Sequence, residues 1–68
     1  MKYAVVVEKS PSGYSAYVPD LPGCIAAGRT RVEVERLIRE AIRFHLEGMR
    51  EDGETIPEPT TGVELVEV

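Results

Sequence analysis

The only cysteine and the only histidine of this 68-residue sequence, Cys24 and His45, are the first candidates for nucleophilic or proton-transfer chemistry. A reactive cysteine needs a depressed thiol pKa, and a catalytic histidine needs a nucleophile or carboxylate within hydrogen-bonding distance. Cys24 follows Pro-Gly and opens an apolar stretch, and His45 lies at the edge of an apolar helical stripe. We interpret Cys24 as a buried structural thiol and His45 as a packed boundary residue, and we predict no catalytic residue.

Four carboxylates, Glu8, Asp20, Glu33 and Glu40, raise the question of a two-metal nuclease site. Such a site needs several acids converging on ions roughly 4 Å apart. Asp20 sits in a turn, Glu33 fits a helix cap, and Glu40 lies among arginines. We therefore predict no metal site and no cofactor, and we do not expect an enzyme.

A group of arginines falls close to one face of a predicted helix: Arg36, Arg39, Arg43 and Arg50. They could follow the phosphates of RNA. However, Glu35 precedes Arg39 by four residues and Arg43 precedes Glu47 by four, which is typical of a solvated face with ion pairs along the helix. A solvated face is favoured, and RNA binding or a residual nuclease activity remains the alternative.

The charge and size of the chain limit its partners and its stability. The formal net charge is −4, which favours a basic partner over nucleic acid. There is no signal peptide and no apolar run of membrane-span length, so a cytoplasmic protein without membrane contact is expected. Residues 1–68 form one domain, whose core is marginal at this size, so we expect a homodimer or higher homo-oligomer.

Regular elements must position these side chains, and the pattern predicts four strands and one helix. Residues 2–8 and 14–18 read as a hairpin with a loop of about four residues, because β-branched residues alternate around turn-forming Pro and Gly. Residues 24–28 read as a third strand after a proline-stiffened connection. Thr30 and Glu33 form a capping box before an amphipathic helix over 31–51, and residues 63–68 read as a last strand.

The predicted fold is α+β with the order β-β-β-α-β. An antiparallel three-stranded meander is followed by one long helix packed on one sheet face, and a right-handed crossover then places the fourth strand parallel to the first. One helix covers only one face. The other face would expose some combination of Tyr3 or Val6, Tyr17 and Val66, and an apolar face of that size is typical of a contact surface.

The whole pattern resembles the N-terminal domain of the HicB family of antitoxins. Residues 13–24, which include Tyr-Val-Pro-Asp-Leu-Pro-Gly-Cys, carry most of the resemblance. Gly28 and Thr30 lead into the helix, where Glu-Ala-Ile stands at 40–42, and Ile-Pro-Glu-Pro follows at 56–59. The resemblance spans almost all of the chain.

The resemblance implies a partial ribonuclease-H-like fold without its catalytic metal site, acting as the antitoxin of a type II toxin–antitoxin system. The implied partner is a small basic HicA-type toxin, an mRNA-cleaving protein that the antitoxin binds and occludes. The predicted partner-binding residues are Tyr17, Pro19, Asp20, Leu21 and Pro22, in a segment that is either a rigid turn or a docking ridge. An orphan oligomeric domain without a toxin is a further alternative.

This sequence departs from the family pattern at its C-terminal end. Members of the family commonly continue into a ribbon-helix-helix or helix-turn-helix domain that binds operator DNA. This sequence reaches Val68 directly after the predicted last strand. We therefore expect a stand-alone domain and no direct DNA binding.

Overall fold

The computed structural model describes all 68 residues and shows three strands followed by one helix. Strand β1 comprises Val6–Ser10, β2 Gly13–Tyr17 and β3 Ile25–Gly28, and helix α1 comprises Arg31–Glu51. The strands form one antiparallel sheet in the order β1-β2-β3. The predicted α+β class and the three-stranded meander are confirmed.

Strands β1 and β2 form a tighter hairpin than the sequence predicted. Ser10 pairs with Gly13, so only Pro11 and Ser12 remain in the turn. Gly13 has a φ of 153°, and a Cβ at this position would lie 2.5 Å from the carbonyl oxygen of Gly28. A glycine is required here because the backbone of β3 passes too close for a side chain.

The connection between β2 and β3 is a compact turn rather than a loose loop. The Val18 amide donates to the Cys24 carbonyl, the Leu21 amide to the Val18 carbonyl, and the Cys24 amide to the Leu21 carbonyl. These bonds turn the Leu21 side chain into the core, where it is 0% exposed. The connection is therefore part of the hydrophobic core.

Helix α1 has the bounds that the sequence predicted, because its signals are local. The Thr30 hydroxyl accepts from the Glu33 amide at 3.1 Å. The Glu33 carboxylate returns to the Arg29 amide at 2.9 Å, one residue before the Thr30 amide that the capping box predicted. At the other end Gly53 has a φ of 72°, and the Glu54 amide donates to the Met49 carbonyl.

The core lies between α1 and strands β2 and β3. Six residues are buried, namely Ala16, Val18, Leu21, Cys24, Val34 and Ile38. Val7 of β1 and Val5 just before it pack against this core but are only partly covered. A core of this size gives the domain little folding stability, because a domain of roughly 70 residues stands at the lower limit of independent stability.

The predicted fourth strand is wrong for this structure. Residues 63–68 form no strand and are exposed, so the parallel pairing with β1 is absent. The cause is the path of the segment before them: the Tyr3 hydroxyl donates to the Pro57 carbonyl, and Thr60 and Thr61 bind Asp20 beyond β2. The segment thus crosses from β1 toward the β2–β3 connection and leads the chain away from the edge of β1. The radius of gyration of 13.1 Å reflects this projecting segment, since a compact chain of this length would have about 11 Å.

Candidate protein-binding surfaces

The face of the sheet opposite α1 carries an uncovered apolar row, which we call the open sheet face. Val6, Tyr17 and Ile25 are direct cross-strand neighbours on β1, β2 and β3. Ile25 is 70% exposed and Tyr17 43% exposed. The expected exposure of Tyr17 is confirmed, whereas Val6 is partly buried. Tyr3 instead packs toward the core on the helix side, and Val66 lies in the projecting segment.

The five predicted partner-binding residues do not form one surface. Tyr17 and Pro22 are exposed, and Pro19 and Asp20 are partly buried. Leu21 is fully buried, so a partner on the surface would not touch it, and we correct that assignment. Tyr17 belongs to the open sheet face, whereas Pro22 lies beside α1. A partner-binding role for Tyr17, Pro19, Asp20 and Pro22 stays a prediction.

Asp20 is committed to hydrogen bonds within the chain. Its carboxylate accepts from the backbone amides and the hydroxyls of both Thr60 and Thr61, at 2.8 to 3.1 Å. The amide and hydroxyl of Thr61 are the largest causes that lower the pKa of Asp20 below its ordinary value of 3.8. Asp20 therefore anchors the C-terminal segment to the β2–β3 connection.

Replacing Asp20 by asparagine should release this anchor without unfolding the domain. Asparagine keeps one acceptor oxygen but loses the charge and the second oxygen, so the amides of Thr60 and Thr61 should lose protection in hydrogen exchange while α1 keeps its own. The same release should occur in the native chain on acidification. Because the folded pKa is depressed, the stabilisation is complete above the ordinary pKa of 3.8 and is lost as pH falls through the folded value. Equal protection of the Thr60 and Thr61 amides in both proteins would contradict this role.

A groove between the β2–β3 connection and α1 brings Pro22 together with helix residues that the sequence reading did not assign to a binding site. Its lining includes Pro22, Phe44, His45 and Met49 and the acidic Asp52 and Glu54, around a volume of about 490 Å³. We call it the Pro22–Phe44 groove. Phe44 is 80% exposed. Its signal in the sequence is an aromatic residue standing off the apolar stripe of the helix, which a purely structural role does not require.

The side chains first considered for catalysis have structural surroundings. Burial raises the pKa of the Cys24 thiol above its ordinary value of 9.0, which disfavours the reactive thiolate. His45 is half-buried in the Pro22–Phe44 groove. Glu33 caps the helix and Glu40 pairs with Arg36. No three acidic, histidine or cysteine side chains lie close enough together to hold a metal ion.

The arginine row is a solvated face, with pairs different from those predicted. Arg31 pairs with Glu35 at 3.1 Å and Arg36 with Glu40 at 3.3 Å. The predicted pairs Glu35–Arg39 and Arg43–Glu47 do not form. Glu35 turns instead toward Arg31, one turn earlier on the helix, and Arg39 therefore makes no ion pair.

No helix in the structure combines the length and the apolar character that a membrane span requires.

Comparison with known proteins gives consistent matches over almost the whole chain. The profile of the family described as a HicB-like antitoxin of bacterial toxin–antitoxin systems matches residues 3–67. The chain is 49% identical over 57 residues to a 14.9 kDa protein of the rep-hol intergenic region of Haemophilus phage HP1, which covers 84% of this chain and 43% of the phage protein. It is 33% identical over 69 residues to antitoxin HicB 2 of Photorhabdus laumondii, over the whole of this chain and 50% of that antitoxin. The chain thus spans half or less of the length of these two relatives.

Among solved structures, the fold is similar to a chain of a HicA3 and HicB3 toxin–antitoxin complex. The TM-score is 0.75 at 30% sequence identity, and the match covers 88% of this chain and 70% of that one.

Proposed function

This chain belongs to the HicB-like antitoxins of bacterial toxin–antitoxin systems, and from that premise we propose that it binds and occludes a small, basic HicA-type toxin that cleaves mRNA. The role is that of a stoichiometric inhibitor rather than an enzyme. Its place of action would be the cytoplasm, where such a toxin meets its RNA. The expectation that residues 1–68 do not bind DNA stays a prediction.

The observation that carries the proposal is the Pro22–Phe44 groove. An exposed aromatic side chain beside a proline is the type of anchor that dominates protein–protein binding energy. The acidic side chains of Asp52 and Glu54 line the same groove, and every charged residue from Glu51 onward is acidic. An apolar anchor beside two acidic side chains is complementary to a basic toxin and disfavours RNA at the same place.

Self-association is the second part of the proposal. The buried core comprises six residues, and the open sheet face leaves Ile25 and Tyr17 exposed. A second copy would cover apolar surface that the single helix does not reach. The Pro22–Phe44 groove lies beside the helix, whereas the open sheet face lies on the opposite side of the sheet, so both surfaces are accessible at once.

The proposal is tested by measuring how the purified chain affects the ribonuclease activity of a HicA-type toxin whose gene neighbours its own. We expect complete inhibition near one antitoxin chain per toxin. Because the complementary charges speed encounter, we expect the association rate to fall steeply with added salt. The control is an unrelated RNase, which should stay active. An uninhibited toxin would overturn the proposal, and salt-dependent binding of the chain to RNA alone would favour the RNA-binding alternative.

A further inference from the structure

A second groove runs between β1 and α1, on the helix side of the sheet. Tyr3, Val5 and Val7 line its sheet side, Ile38 and Ile42 its helix side, and Arg39 stands at its margin, around a volume of about 440 Å³. It exists because α1 packs on β2 and β3 and leaves β1 half-covered. We call it the β1 groove.

The outer edge of β1 borders this groove and has no strand partner. Strand β1 pairs only with β2, and the sheet has no further strand beyond it. An unpaired edge presents a row of amide and carbonyl groups that template the addition of another strand. The edge and the groove together thus form a receiving site for one extended segment with apolar side chains.

Residues 62–68 have the composition of such a segment. The apolar side chains of Val63, Leu65, Val66 and Val68 are 73% or more exposed. In an extended conformation Val63 and Leu65 point to one side, and Val66 and Val68 to the other. Each side also carries one acidic residue, Glu67 or Glu64. Either side could therefore enter the β1 groove and leave two apolar residues beside Val6 on the open sheet face.

The charged residues that line the β1 groove bear on whether it binds residues 62–68 or the toxin. Arg39 at the margin of the groove makes no ion pair, and Arg31, which also lines it, is paired only with Glu35. Glu35 lines the groove as well and offsets Arg31, so the unpaired charge of the lining is the single cation of Arg39. An unpaired cation suits an acidic strand and disfavours a basic protein. The β1 groove therefore fits residues 62–68 better than it fits a basic toxin.

The path of the chain directs these residues to another copy. From Pro57, which is bound by Tyr3 of the β1 side, the backbone crosses to Asp20 in the β2–β3 connection. To return to its own β1, the segment would have to reverse and recross about 10 Å of sheet, two strand spacings, using about three residues. About four of residues 62–68 would then remain to pair with their own β1, unless Thr60 and Thr61 left Asp20, whereas all of residues 62–68 are free to pair with a second copy.

We propose that residues 62–68 of one copy add as a fourth strand to the β1 edge and groove of a second copy, in a reciprocal exchange that forms a dimer. The inference rests on the proposed self-association and places its main contact at the β1 edge and groove, with two residues of the exchanged strand beside Val6 on the open sheet face. It completes, between two chains, the four-stranded sheet that one chain does not form.

The test compares dimerisation of the wild-type chain with that of a variant carrying Leu65→Asp and Val66→Asp, by light scattering over a dilution series. Both side chains are free in a single chain, so the variant should keep its helical circular dichroism. Since both exchanged strands are weakened, we expect the dimer dissociation constant to rise by about 100-fold or more.

A second variant, Arg39→Glu, should weaken the dimer from the groove side. Mixing the two variants should produce more dimer than either alone, because one intact groove then meets one intact strand.

Two results would overturn the exchange. The first is that the Leu65→Asp, Val66→Asp variant, which we call the tail variant, dimerises like the wild type. The second is that residues 63–68 of the wild-type monomer are protected from hydrogen exchange independently of dilution. The first would place the interface on another surface, and the second would place the strand in its own chain. Toxin inhibition by the tail variant separates this failure from that of the proposed function, since the Pro22–Phe44 groove does not include residues 62–68. The tail variant should inhibit the toxin as the wild type does.

Discussion

Replacing Leu21 by alanine should lower the melting temperature of the domain by about 10 °C or more and leave a large fraction of the free chain unfolded at 37 °C. Leu21 is 0% exposed and is one of six residues that make up the core. Truncating a buried leucine to alanine costs about 2–5 kcal/mol. A domain of this length has about 3–10 kcal/mol in total, and each 1 kcal/mol shifts the melting temperature by about 4–8 °C at this size.

The matched control is Leu65→Ala, which makes the same chemical change at a side chain that is 94% exposed. Thermal unfolding of both variants should be followed at concentrations where the chain is monomeric, so that self-association does not contribute. Leu65→Ala should then unfold within about 0.5 kcal/mol of the wild type. Similar melting temperatures for the two variants would show that Leu21 is not a core residue in solution.

Burial could be predicted from the sequence in the helix and the strands but not in the β2–β3 connection. Leu21 and Pro22 are adjacent and both were assigned to a contact surface, yet one is fully buried and the other exposed. A helix or strand reveals its buried side by periodicity. The β2–β3 connection has no period, and the bonds among Val18, Leu21 and Cys24 that turn Leu21 inward are visible only in three dimensions.

The bounds of helix α1 depend on local interactions, whereas the absence of a fourth strand depends on a long-range one. The bounds of α1 were predictable because Thr30, Gly53 and the apolar stripe act within a few residues of one another. Residues 63–68 were predicted to form a strand from their β-branched and apolar side chains, but a strand also needs an edge to pair with. Whether that edge is in reach is decided by the bonds between Asp20 and Thr61, 41 residues apart in the sequence.

The candidate binding surfaces were predictable in part. Counting one helix against a sheet with two faces correctly indicated the open sheet face with Tyr17. The Pro22–Phe44 groove was missed, because it depends on how the β2–β3 connection meets the end of α1. Phe44 was nevertheless detectable as an aromatic residue at the border of the apolar stripe of an amphipathic helix.

Replacing Phe44 by alanine should weaken toxin binding by about 30-fold or more and leave the free domain folded. An aromatic anchor at the centre of an interface contributes about 2 kcal/mol or more, and each 1.4 kcal/mol is a tenfold change in affinity. Phe44 is 80% exposed in the free chain, so its loss leaves no cavity in the core. The measurement is isothermal titration of toxin into each antitoxin variant, with circular dichroism to confirm the helix.

The matched control for Phe44 is Val32→Ala, because Val32 is 76% exposed on the same helix and does not line the groove. It should bind the toxin with unchanged affinity.

If Phe44→Ala bound normally and Ile25→Ala did not, the toxin site would be the open sheet face, and self-association would have to use another surface. The two surfaces lie on opposite sides of the sheet, so one pair of variants assigns the toxin to one of them. That assignment also decides whether a dimer built by strand exchange can hold a toxin on each copy, since only the Pro22–Phe44 groove stays clear of the β1 edge.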